Sequence, residues 1–228
     1  QIRAAQWTRS DTVLPAFDDD GEEMLEAVEG ARGALPLLAF AVSRLWERRE
    51  RKRKLLTRAA YEEIGGVAGA LAQHAEQTLE RIGLDKQALV REIFRNLVTA
   101  QGTRAVRERD ELLSVFPGES RADAGEGLGA LVDARLLTSY EVHEDDREPS
   151  RRVEVIHESL LASWPRLERW LAQDTEGALL RDQLRQAAQT WHEHGRPDDL
   201  LWTGTAFREY AVWRERYPGG LTGTEEGF

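Results

Sequence analysis

Few residues in this chain have the types and spacing that catalysis needs. A metal site would rest on His192 and His194, which stand two apart on a helical stretch and therefore face different sides. There is no H-E-x-x-H pair, and a chain without cysteine has neither thiolate ligands nor disulfides. Asp145 and Asp146 bring two carboxylates together, but in an exposed charged turn where nothing shifts a carboxyl pKa toward acid–base work. No G-x-S-x-G elbow presents a serine nucleophile. The glycine-rich run Gly65-Gly66-Val67-Ala68-Gly69 lacks the lysine and the preceding strand of a phosphate-cradling loop, and reads as a helix-to-helix turn. No G-x-x-x-x-G-K-[ST] occurs anywhere. No catalytic residue and no metal ligand is assigned, and the chain is not expected to be an enzyme on its own.

Two local features survive that subtraction. Gly33-Ala34-Leu35-Pro36-Leu37 opens a helix, with Pro36 in the first turn, where its missing N–H has no intrahelical partner to lose. Val155-Ile156-His157-Glu158 stands where a strand runs into the next helix. Taken alone, Pro36 is a helix-starting proline and His157 a helix N-terminal histidine against a core.

The elements that must position them are mostly helical. Residues 1–20 show no period and form a ragged segment leading in from an upstream domain. A short helix follows with Met24, Leu25 and Val28 on one face, stopped at Gly33. Leu38, Val42, Leu45 and Trp46 then fall at helical spacing, running out into the charged stretch Glu47–Lys54. Thr57 is placed to cap a helix through Ile64, and Val67, Leu71, Ala75, Thr78 and Ile82 trace one stripe of a longer helix closing at Gly83. From Leu84 the order changes to a helix capped by Asp85 with Leu89, Ile93 and Leu97 inward, then an extended piece Thr103–Arg107. Helices around Leu112–Phe116 and Leu128–Val132 follow. Leu136, Thr138, Tyr140 and Val142 alternate at period two, and Val153 and Val155 alternate after a charged turn at 143–150, which predicts a β-hairpin. Helix, short strand, helix, helix, hairpin is the winged-helix order. Leu160, Trp164, Leu167 and Leu171, then Leu180, Leu184, Ala187 and Trp191, then Phe207, Tyr210 and Trp213 mark further helices, with Pro165 at a bend or fresh start. Trp164, Trp170, Trp191, Trp202 and Trp213 are expected to staple these helices together.

The fold class is thus mainly α: a helical module over 21–83, a winged-helix domain with a small hairpin over 84–157, a helical arm over 158–217, and a disordered tail over 218–228. Hydrophobic residues make up 41% and charged residues 32%, the balance of a folded chain. No apolar run reaches the length of a membrane span and no signal peptide opens the chain, so a cytoplasmic location and no membrane partner are expected.

The joint context of Pro36 and His157 resembles the STAND class of signalling ATPases. The runs 33–41, 45–48, 60–71 and 131–137 are similar to its bacterial branch, usually fused to WD-repeat propellers. So are His157-Glu158-Ser159-Leu160-Leu161 and Trp164-Pro165-Arg166-Leu167. The resemblance implies that Pro36 packs against the adenine of a bound nucleotide. It places His157 at the histidine of the class's M-H-D motif, reaching the phosphates of ADP, where an imidazole N–H can hydrogen-bond a phosphate oxygen. Ile156 and Glu158 depart from the flanking residues of that motif. The resemblance also implies an upstream P-loop NTPase domain and a downstream WD-repeat propeller in the same polypeptide, and a homo-oligomer on activation. ATP or ADP is a cofactor only in that full-length context.

Two other readings compete. Most winged helices bind DNA, but the net charge is −10 and the expected groove helix, 123–134, holds Asp123, Glu126 and Asp133 with no lysine or arginine inside it. Nucleic acid is therefore not an expected partner. The run Arg48-Arg49-Glu50-Arg51-Lys52-Arg53-Lys54 reads as the solvated end of a helix. A purely structural helical connector is the remaining alternative.

Overall fold

The computed structural model describes residues 34–50, 55–143, 149–173, 175–217 and 219–228. The lead-in segment, the Met24–Val28 helix, Gly33, the 51–54 end of the charged run and Asp145-Asp146 lie outside the described residues. The chain divides into two compact units, residues 1–73 and 74–228.

In the first unit, α1 (Ala34–Glu47) is followed by α2 (Arg58–Glu63) and the first half of α3 (Gly66–Ile82). The Thr57 hydroxyl accepts the Ala60 N–H at 3.2 Å, the predicted cap. Leu45, Ala60, Ile64 and Ala70 bury against one another with Leu56 and Tyr61 beside them. The Gly65–Gly69 run is the helix-to-helix turn its composition predicts. Gly65 and Gly66 take φ of 72° and 67°, a left-handed pair that reverses the chain between α2 and α3.

The second unit begins inside α3, whose stripe Leu71, Ala75 and Thr78 is buried with Leu79 beside it. A 3-10 turn, Leu84–Lys86, leads into α4 (Gln87–Asn96), and Asp85 makes no side-chain cap. The buried face of α4 is Val90, Ile93 and Phe94, continuing to Leu97, while Leu89 is only half-buried. Then come β1 (Arg107–Glu108), α5 (Arg109–Ser114), α6 (Gly118–Asp133), β2 (Leu137–Val142) and β3 (Ser150–Val155). The strands form an antiparallel sheet in the order β1-β3-β2, a winged-helix-like arrangement.

The hairpin register differs from the predicted alternation by one residue. Leu137 pairs with Val155 and Ser139 with Val153, both valines fully buried, so Thr138 and Tyr140 lie on the outer face. The cause is local. Arg135 adopts φ 56° and Leu136 donates back to the Leu131 carbonyl at 3.0 Å, so Leu136 closes α6 against the core before the strand begins.

Helices α7 (Ser159–Ser163), α8 (Pro165–Ala172), α9 (Thr175–Glu193) and α10 (Gly204–Arg216) complete the arm, with Pro165 at the first position of α8. They fold back on the winged helix. Trp164, fully buried, meets Phe94 of α4 edge-on at 5.4 Å and Trp170 at 5.6 Å. Trp170, Trp191 and Trp213 are also buried, as a stapling role requires, whereas Phe207 is exposed.

The predicted disorder after 218 is overturned for residues 219–228. Leu221, Thr222 and Glu225 are buried, and α11 (Gly223–Gly227) starts with a capping box in which Thr222 and Glu225 bond each other's backbone N–H. No periodic signal follows the Pro218-Gly219-Gly220 break. A capping box and a docked aromatic, Phe228, supply the order that composition does not announce.

Candidate functional site

His157 is delivered by the end of the hairpin. The Ile156 N–H donates to the Leu136 carbonyl at 3.0 Å, carrying the pairing one residue past β3, and the next residue enters the turn into α7. The imidazole is buried. Its Nδ1 accepts the Ser159 N–H at 3.0 Å, with the Ser159 hydroxyl against the same nitrogen. A backbone N–H needs a lone pair, so Nδ1 is unprotonated and the neutral ring carries its hydrogen on Nε2. His157 therefore orients itself on α7 with one nitrogen and keeps a donor on the other.

Burial, together with the Arg104 guanidinium, holds this imidazole below its ordinary value of 6.5, with Glu158 opposing. A histidine kept neutral in the fold stabilises it in full above the unfolded pKa, and that contribution is lost as pH falls from 6.5 through the depressed folded value. Urea midpoints between pH 7.5 and 5 are thus expected to drop more steeply for the wild type than for His157→Asn, which retains an acceptor for Ser159 but does not titrate. Parallel curves would refute the assignment.

Sequence reasoning missed Arg104. Its guanidinium donates to the Val155 carbonyl at 3.2 Å and lies 3.7 Å from Glu154 and 3.8 Å from Glu158. The available signal was topological. Because β1 pairs with β3 rather than β2, residues just before β1 fall beside residues just after β3. Val98 bridges Arg104 across the turn that follows α4, fixing it there. Glu158 also borders a cavity of about 460 Å³ walled by Val98, Leu161 and Leu171 with Arg95 and Arg181; His157 does not line it.

Elsewhere in the second unit, Glu76 of α3 ties α8 and the residue before it. The Trp164 Nε1–H donates to it at 2.8 Å and Arg166 reaches both carboxylate oxygens, at 2.9 and 3.0 Å through Nε. Burial pushes the Glu76 carboxyl up, but the Arg166 and Trp164 hydrogen bonds outweigh it and hold it below the usual range.

Pro36 occupies the first turn of α1, in the first unit, and its side chain is not among those described. His157 belongs to the second unit, and each is described within its own. The groove-helix position offers little to DNA. Lys86 is spent on α6 carboxylates, 2.8 Å from Asp123 and 3.0 Å from Glu126, and Arg121 is the one cation within that helix. Among the described residues no acidic and histidine cluster can hold a metal ion, and no helix is long and apolar enough to cross a membrane.

Comparison with known families settles the affiliation. The model of the novel STAND NTPase 1 family matches residues 16–199, most of the chain, spanning both Pro36 and His157. The chain belongs to this family. No curated protein matches it, and no solved structure does. Within the novel STAND NTPase 1 match lie the winged-helix-like unit, Arg104 and the Glu76–Trp164–Arg166 node, whereas residues 200–228 fall beyond it.

Proposed function

We propose that this chain is the regulatory part of a STAND ATPase switch in the cytoplasm, closing over ADP held by a P-loop domain and relaying the change to a WD-repeat sensor in the same polypeptide. His157 carries the reading. It stands after the last strand of a winged-helix-like unit inside the family match, buried, with Nδ1 occupied and a hydrogen left on Nε2. One N–H suits one phosphate oxygen, and Pro36 would offer its rigid ring to the adenine. The nucleotide would supply the phosphate charge to which His157 responds. Activation, with the homo-oligomer it implies, follows when ATP favours the open arrangement, which requires different affinities of the two states for the two nucleotides.

In the protein carrying both this segment and the P-loop domain, His157→Ala is expected to weaken ADP about tenfold or more, the worth of one hydrogen bond to a charged group. Isothermal titration and ADP released from purified protein measure it. Unchanged ADP retention in both His157→Ala and Pro36→Ala would leave the chain a structural connector.

A further inference from the structure

After α10, residues 219–228 pack back on the second unit. Gly220 presses on the Val115 carbonyl that ends α5, so closely that an added Cβ would overlap that oxygen. Phe228 sets its ring edge-on to Trp191 at 5.8 Å and Trp202 at 5.6 Å. Glu225 reaches Arg185 of α9 with Oε1 3.2 Å from Nε. Neither of those two atoms makes an aligned hydrogen bond, although both are buried, so the pair is desolvated without being fully satisfied.

Helix α9 carries these contacts onward. Arg185 donates to the Asn96 side-chain oxygen at 2.7 Å, Arg181 to the Arg95 carbonyl at 3.4 Å, and the Asp182 carboxylate accepts the Ala100 N–H at 2.7 Å. All three grip the end of α4 and the turn after it. That turn is closed by Thr99 and Thr103 and leads directly to Arg104, whose guanidinium holds the Val155 carbonyl and lies 3.8 Å from Glu158, the residue after His157. Residues 219–228 thus touch α9, α9 holds the 95–100 segment, and that segment positions Arg104.

We propose that residues 219–228 are a conformational strap. Seated, it fixes α9 on the 95–100 segment and keeps Arg104 beside His157; unseated, it loosens that segment while the sheet and α6 stay folded. The strap is suited to opening alone. It is short, holds one turn of helix, and is seated by one capping box, the packing of Gly220, Leu221 and Phe228, the Arg214 bond to the Gly219 carbonyl and one poorly satisfied ion pair, whereas the winged helix is closed by a sheet and a continuous core. The inference does not depend on nucleotide binding, and the strap lies outside the family match.

Residue-resolved amide exchange by NMR on the full chain, in a series of low urea concentrations, tests it. The expected result is that amides of 221–228, the second half of α9 and Ala100 share one opening reaction, faster by about tenfold or more than that of β2 and β3. Gly220→Ala, which drives a methyl into Val115, is expected to accelerate all three regions together and leave β2 and β3 unchanged. If that variant does not fold, Phe228→Ala and the wild-type series answer the same question. Acceleration of the strap with Ala100 unmoved would overturn the proposal, as would exchange of the strap only with global unfolding.

Discussion

Trp164→Ala is expected to destabilise the second unit by about 3–5 kcal/mol, the usual cost of truncating a fully buried tryptophan. The side chain has no exposure, stands between Phe94 and Trp170, and is the point where α7 and α8 meet α4. Two losses combine: the ring contacts and the Nε1–H bond to Glu76. Trp164→Phe separates them in part, since it keeps an aromatic ring while removing the donor and leaving a smaller cavity than alanine does. A hydrogen bond to a charged acceptor contributes about 1.5–3 kcal/mol, but Glu76 retains Arg166, so loss of the donor is expected to cost near the lower figure, with the smaller ring's cavity added to it. Packing therefore exceeds the hydrogen bond. Urea unfolding followed by circular dichroism measures both variants. A phenylalanine variant as unstable as the alanine one would reverse that ranking and make the Glu76 node the main tie.

The winged-helix order was legible because each element carries its own local signal: helical stripes through Val90–Leu97 and Leu128–Val132, glycine and proline breaks, and alternating valines at 153 and 155. The hairpin face was not. One left-handed residue, Arg135, decides whether Leu136 or Leu137 starts the strand, and nothing in the side-chain pattern marks an arginine for that conformation. Pro36 and His157 stood out by their places at element starts and took their expected roles from a family likeness, yet what His157 does with its two nitrogens follows from Ser159, two residues on. Arg104 and Glu76 were invisible for a common reason. Their partners lie 51 and 88 to 90 residues away, and long-range polar pairs leave no periodic trace. The strap was misread because buried charge in a glycine-rich tail runs against the compositional rule; only the Thr222–Glu225 spacing hinted at a helix start.

Glycine-to-alanine changes at two places in the chain are expected to act with opposite sign. Gly69→Ala is expected to cost the first unit about 1–3 kcal/mol, because its new methyl would lie 2.5 Å from the Ile64 carbonyl oxygen. That oxygen is backbone in the tight corner between α2 and α3, flanked by the left-handed Gly65 and Gly66, so it has no rotamer by which to withdraw. The turn must open, and Ile64, nearly fully buried in the small core of this unit, must shift with it. Gly125 and Gly129 sit within α6 with no atom within 4 Å of an added Cβ. There alanine relieves the entropic cost of glycine in a helix, and each change is expected to stabilise the second unit by about 0.5–1 kcal/mol. Amide exchange read separately over α2–α3 and over α6 distinguishes the two effects in one chain. The sign follows from geometry and not from the residue type: at Gly69 helix propensity favours alanine as much as at Gly129, and only the carbonyl opposes it. Gly69→Ala that left α2–α3 protection unchanged would mean the corner yields freely and does not order the helix bearing Leu71 and Ala75.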